Sequence, residues 1–428
     1  MNRSAFLNKS WTLSLAVLLL MIAGLHSTAN AQDKEIRERY PFIVQEKNKL
    51  DYYGDSARFF RFYEQLDKLI FEGEGKINVL HMGGSHVQGG VLSNAMRKQF
   101  LELSPDLQSE RGFFFPYRLA ETNNPSNYKV TYTGSWEGCR CSVRSARCPW
   151  GVSGINGTTR RENTTVSIYA EDSDKQPYSF DAVRIFHLLD AKSFAVQMAE
   201  GYDVVSTRTD SLAHYTEFVF AQSYDTLSFQ LARTDSLQSF FTIQGIQYLQ
   251  NGPGLVYNSI GVNGASTESF LRTSNFSNQL KSFPPDLVIF GIGINDAYGP
   301  ERAFSQRVYE TRYNKLIARI KEANPDVAIL FLTNNDSYYR RRYANRNAFK
   351  VRKAMINLAG QHGGAVWDLF EIMGGLNSVK VWEDFKLAKA DKIHFTRTGY
   401  EVQADLLFKA IKEGYGRYLQ HTYNDFTH

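Results

Sequence analysis

Four blocks far apart in the chain carry the groups that acyl transfer needs. Ser85 stands in His81-Met82-Gly83-Gly84-Ser85-His86, Asn295 in Gly293-Ile294-Asn295-Asp296, and Asp391-Lys392-Ile393-His394 sets a carboxylate and an imidazole three residues apart. A serine hydroxyl is a poor nucleophile until a base takes its proton, and the base needs a partner that fixes its ring tautomer. Ser85 is the candidate nucleophile, His394 the base and Asp391 its orienting carboxylate. Donors for the developing oxyanion are the backbone N–H of Ser85, the backbone N–H of Gly264 in Gly261-Val262-Asn263-Gly264-Ala265, and the side-chain amide of Asn295. Each such donor is typically worth about 3 kcal/mol of barrier.

These groups must be brought together by the elements that carry them. The run from Ile77 to Met82 reads as a strand, Gly83 and Gly84 allow a sharp turn, and Val91 to Leu103 returns to helical periodicity. A helix over 57–71, with Phe59, Phe62, Tyr63, Leu66 and Ile70 on one face, leads into that strand. Further strands are expected at 255–260, 286–290, 327–333 and 365–368, and helices near 303–323, 345–361 and 398–419. Near-continuous apolar strands alternating with helices imply a parallel sheet buried on both faces, an α/β fold with its catalytic groups at the carboxyl ends of the strands. Ser85, Gly264 and Asn295 then share one rim.

Residues 106–252 read differently. Alternating runs at 129–133, 165–169, 216–220 and 239–243, separated by Asn, Asp, Gly and Ser turns, predict an all-β antiparallel sandwich. The expected organisation is a leader over 1–31, an α/β domain over 32–105 and 253–428, and the sandwich inserted between its two parts. Cys139, Cys141 and Cys148 share one window, and an oxidising compartment would join Cys148 to Cys139 or to Cys141. Trp136, Trp150 and Tyr132 are either core residues or sugar-stacking ones, and Ser153 lacks the strand-to-helix setting of Ser85. His81 reads as a core residue, His86 as a lining residue and Asp296 as an ordering one. Arg340-Arg341-Arg342 reads as a solvated loop.

The first residues give the expected compartment. Arg3 and Lys9 precede an apolar stretch from Leu13 to Leu25, and Ala29-Asn30-Ala31 is an A-x-A site, the pattern of a cleaved secretory signal peptide. The apolar stretch is too short for an ordinary span, so an exported protein that is not integral to a membrane is expected. The formal charge of +5 falls to about +3 without Arg3 and Lys9, too balanced to suggest a nucleic-acid partner.

Together the four blocks resemble the SGNH or GDSL-type serine hydrolases, in that family's chain order. The resemblance implies a three-layer α/β hydrolase domain, an esterase activity without cofactor or metal, and catalytic roles for Ser85, His394 and Asp391, with Ser85, Gly264 and Asn295 as the oxyanion hole. The inserted sandwich further resembles the carbohydrate-binding-like domain of periplasmic peptidoglycan O-acetylesterases. That layout implies an acylated polysaccharide or peptidoglycan as substrate, with an acetyl group removed. An acyltransferase, a lipase-type esterase and a non-catalytic glycan-binding protein are the alternatives. The chain departs from the family at Gly84, where the family usually has Asp.

Overall fold

A computed structural model describes residues 36–104, 107–172 and 174–424. The expected leader peptide lies outside the described residues.

The central sheet has seven strands in the order Leu50–Tyr52, Ala365–Trp367, Ala328–Leu332, Leu287–Gly291, Lys76–Gly83, Gly254–Gly261 and Gln108–Glu110. Six of these run parallel, and the edge strand Leu50–Tyr52 alone pairs antiparallel, with Ala365–Trp367. Strand alternation explains why the runs are apolar throughout. Ile77, Val79, Leu287, Ile289, Ala328 and Leu330 face one core, while Leu80, Met82, Val288, Phe290, Ile329 and Phe331 face the other.

The first core is closed by helices Ala57–Phe71, Val91–Leu101 and Arg397–Asn424, the second by Gln306–Lys321 and Asn347–His362. In helix Ala57–Phe71 the expected Phe59, Phe62, Tyr63 and Leu66 are buried together with Leu69, whereas Ile70, expected on the same face, is only partly buried at its edge. From strand Lys76–Gly83 the chain moves to Gln108–Glu110 and Gly254–Gly261 on one side, and then crosses to Leu287–Gly291 on the other. That reversal opens a crevice at its carboxyl end, where Ser85 follows.

The insertion forms two antiparallel sheets. One runs Ala195–Met198, Thr226–Ala232, Thr165–Ala170, Tyr128–Tyr132; the other runs Val204–Asp210, Tyr215–Tyr224, Phe180–His187, Phe241–Leu249, Ile155–Thr159, Glu137–Arg140, with Gly112–Phe114 added on Phe241–Leu249. Strand Gln108–Glu110 falls within the segment expected to be sandwich, yet it pairs parallel with Gly254–Gly261 in the central sheet. The crossing into the sandwich therefore comes at Arg111. Sandwich and hydrolase core are continuous: Phe113 stacks on Phe283 with ring centroids 5.0 Å apart, and Gln279 accepts from Val152 N–H at 2.8 Å while donating to Gln244 at 2.6 Å. The two parts share an apolar interior instead of hanging from a linker. Among the described residues no helix is long and apolar enough to cross a membrane.

Candidate active site

Ser85 opens a four-residue helix, Ser85–Gln88, directly after the central strand. An amide at the first helical position has no intrahelical acceptor, so the Ser85 N–H is left available at the strand end. Gly83 lies against the Val87 side chain and Gly261 against the Gln88 backbone so closely that a Cβ at either would collide. The turn is glycine because the helix packs directly on the strand.

Ser85 Oγ lies 2.7 Å from His394 Nε2, and His394 Nδ1 lies 2.8 Å from Asp391 Oδ2. Ser85 and His394 are 309 positions apart in sequence, yet the three residues form one hydrogen-bonded relay. Burial alone would raise the Asp391 carboxyl, but the backbone N–H of His394, its ring and the backbone N–H of Ile393 outweigh burial and hold it below the usual carboxylate range. Asp391 thus remains charged beside the ring.

The oxyanion candidates meet on the same rim. Asn295 is the second residue of the short helix Ile294–Ala297 and donates through Nδ2 to Ala265 O at 2.9 Å, which fixes the amide at the crevice. Gly264 has φ of +77°, a left-handed conformation natural to glycine. Its loop is fixed from two sides: Asn263 N–H donates to Gln88 Oε1 at 2.7 Å, and Thr267 donates to Asp296 through its hydroxyl at 2.6 Å and its backbone N–H at 3.0 Å. Asp296 therefore orders the rim, in keeping with its place beside Asn295.

The histidines next to Ser85 take other parts. His81 is fully buried, holds Tyr257 Oη at 2.9 Å through Nδ1, and is pushed by burial down to about 3. His86 does not line the crevice. It sits behind His394 with ring centroids 5.1 Å apart, its Nδ1 2.9 Å from Tyr400 Oη, and burial together with the neighbouring His394 lowers it to about 3. A ring held neutral at neutral pH adds bulk behind the base without adding charge.

The crevice is a cavity of about 720 Å³ lined by Ser85, Asn123, Gly264, Asn295, Tyr298, Lys389, His394 and Arg397. A second cavity, of about 780 Å³, meets it at Gly264 and Asn295. Its far wall is the sandwich loop closed by a disulfide between Cys139 and Cys148. Cys141 is the free thiol, buried, and desolvation pushes it up to about 12. The sequence points to the loop's cysteines but carries no signal that the loop reaches the site.

Other candidates take structural places. Ser153 is buried and donates to the carbonyls of Ile155 and Gln244. Trp136 and Trp150 are core residues, and Trp150 Nε1 donates to Cys139 O at 3.0 Å. Arg340, Arg341 and Arg342 form the exposed tip of a hairpin between Tyr338–Tyr339 and Tyr343–Ala344.

Residues 241–402 match the model of the GDSL-like lipase/acylhydrolase family. A solved structure described as a peptidoglycan O-acetylesterase aligns over 86% of this chain and 99% of its own, at 19% identity and a TM-score of 0.67, a likeness of fold. A lipase/acylhydrolase from Enterococcus faecalis aligns over 39% of this chain and 78% of its own, at 22% identity and a TM-score of 0.29. A GDSL-like lipase from Bacteroides thetaiotaomicron aligns over 37% and 76%, at 17% identity and a TM-score of 0.27. No curated protein matches the chain. The matched residues take in Gly264, Asn295, Asp391 and His394, and with the α/β fold interrupted by a β-sandwich they make the protein a carboxylic ester hydrolase that is GDSL-like over residues 241–402.

Proposed function

We propose that the protein is an exported serine esterase that removes O-acetyl groups from a cell-wall or other polysaccharide, with Ser85, His394 and Asp391 as its catalytic residues. The observation that carries this reading is the relay itself, Ser85 Oγ to His394 Nε2 at 2.7 Å and His394 Nδ1 to Asp391 Oδ2 at 2.8 Å. The A-x-A site at Ala29-Asn30-Ala31 supports export. The fold shared with a protein described as a peptidoglycan O-acetylesterase supports an acetylated glycan as substrate.

In this mechanism His394 Nε2 takes the Ser85 proton as Oγ attacks the acetyl carbonyl, and Asp391 stabilises the imidazolium that forms. The Ser85 and Gly264 amides and Asn295 Nδ2 receive the oxyanion. As the intermediate collapses the bond from the acyl carbon to the sugar oxygen breaks, the imidazolium protonates that oxygen to a free hydroxyl, and the acetyl group stays on Ser85. Water, deprotonated by the same ring, attacks the acetyl-enzyme and releases acetate with a free serine.

The test compares the protein with Ser85→Ala on p-nitrophenyl acetate and on O-acetylated glycans, following acetate release. The substitution should lower kcat by at least about a thousandfold on both. Equal rates for the two proteins would refute the assignment.

A further inference from the structure

The two cavities that meet at Gly264 and Asn295 are unusually one-sided in charge. Lys389 and Arg397 line the first, and Arg144, Arg147 and Arg272 line the second, against a single carboxylate, Glu268. Glu268 is already engaged by Arg312 at 2.6 Å. The chain as a whole is close to balanced, with 49 basic and 44 acidic residues, so this bias belongs to the mouth of the site. Among the described residues no carboxylate forms an ion pair with Arg144, Arg147 or Arg272, and Arg397 reaches only Glu401, at 4.0 Å.

The wall that carries these arginines is built to hold its shape. The Cys139–Cys148 disulfide closes the loop. Arg272, from the end of helix Thr267–Leu271, donates to the carbonyls of Cys141 at 2.7 Å and Val143 at 2.8 Å and to that of Ala146, while its guanidinium lies 4.8 Å from the Trp150 ring centroid. Arg147 donates to the carbonyls of Arg144 and Ala146, both at 2.7 Å. One arginine clamps the loop to the hydrolase domain, one stiffens it, and exposed Arg144 is presented to the groove.

From this arrangement we infer that the polysaccharide substrate is acidic, and that a sugar carboxylate near the ester is held in the groove between the disulfide-closed loop and helix Thr267–Leu271, with Arg144 as a specificity-determining residue. The inference rests on the esterase reading above and adds the substrate's charge. A guanidinium suits this task because its planar donor fork matches a carboxylate and stays charged at every working pH. The groove begins at Gly264 and Asn295, which also line the crevice at Ser85, so a glycan with its acetyl carbonyl at Ser85 can run directly into it. The insertion thereby supplies selectivity to chemistry carried by the surrounding domain.

The experiment compares acetate release from O-acetylated polygalacturonate, which carries carboxylates, with release from O-acetylated, uronate-free xylan, which is neutral. The protein should favour the acidic polymer in kcat/KM, and Arg144→Gln should lower the ratio of the two rates by about ten- to a hundredfold, the scale of one lost charge-assisted contact. Using a ratio guards against partial misfolding. A protein that releases acetate from p-nitrophenyl acetate yet treats both polymers alike, or whose preference survives Arg144→Gln, overturns the inference while leaving the esterase reading intact. Calorimetric binding of trigalacturonate to the intact protein needs no turnover. Binding that weakens in Arg144→Gln supports the groove even if the esterase reading fails, and absence of binding sinks it.

Discussion

The rim of the central sheet and the loop that carries His394 hold the proposed catalytic groups in contrasting ways. Ser85, Gly264 and Asn295 follow strands whose residues are almost wholly buried, and neighbouring loops tie them to one another through Gln88, Ala265 and Asp296. Asp391 and His394 sit outside the sheet, their side chains 26% and 31% exposed, on a turn in which Lys392 takes φ of +57°. That turn is organised mainly by itself. Asp391 Oδ1 accepts from the backbone N–H of Ile393 and of His394, both at 2.9 Å, and Lys389 N–H returns to His394 O at 2.8 Å. Donors that must meet a developing charge gain from rigidity. A base that must pass a proton twice gains from one local carboxylate that sets both its backbone and its ring.

The largest effect is expected on the loop, from Asp391→Asn. Its Oδ1 can keep both backbone donors, so the turn should persist with little change in thermal midpoint. An amide N–H opposite His394 Nδ1 would instead force the other tautomer and place a proton on Nε2, where Ser85 needs a free lone pair. The expected loss is about 10³ to 10⁴ in kcat. Steady-state kinetics beside a melting curve would check it, and activity within tenfold of the parent would show that the carboxylate is not used.

How much of this is legible in the sequence follows from the reach of each interaction. The residues that meet in the hydrogen-bonded relay and on the rim stand out in the sequence because glycines, a Ser and an Asn after predicted strands, and an Asp-x-x-His ahead of the last helix, fall in one chain order. The strand at Gln108–Glu110 reads as sandwich because three residues carry no period of their own, and its place is set by pairing with Gly254–Gly261. The disulfide is open between two partners for a similar reason. Cys139 and Cys141 would share a face if strand Glu137–Arg140 continued, but it ends at Arg140, and the turn that follows buries Cys141 while leaving Cys139 beside Cys148. Neither the turn nor the Arg272 clamp that holds it is encoded by neighbours in sequence.

Gly84 tests the rigidity of the rim. A Cβ at this position would stand 3.0 Å from Asn295 Nδ2 and 3.7 Å from Ala265 O. The glycine leaves the asparagine amide its place, which is a physical reason for its presence where the SGNH or GDSL pattern that the chain resembles has Asp. Gly84→Ala should push that amide by a few tenths of an ångström and lower kcat about tenfold with KM little changed, since misplacement of this size costs rate before binding. Gly84→Asp should lose more, because its carboxylate would crowd the Ala265 and Val262 carbonyl oxygens as well. An Asp variant as active as the parent would show that the rim is as tolerant as the loop.

The smallest effect is one of pH, and it separates the two regions by sign. Burial pushes the Asp296 carboxyl up to about 6, with the Thr267 hydroxyl and amide and the Arg312 charge offsetting only part. In the unfolded chain the same group titrates near 4, so between about pH 4 and 6 the folded state holds more protons, and stability falls as pH rises through that window. A carboxyl carried from about 4 to about 6 on folding can cost at most about 3 kcal/mol above the window. Asp391, held below its usual range, behaves oppositely: its contribution is present above the ordinary carboxylate range and is lost as pH falls below it. Asp296→Asn removes the rim's titration while keeping an acceptor for Thr267, so its thermal midpoint should decline less than the parent's between pH 4.5 and 7. Parallel curves for the two proteins would mean that the Thr267 bonds fully offset the burial of the charge, and that rim and loop do not differ in this respect.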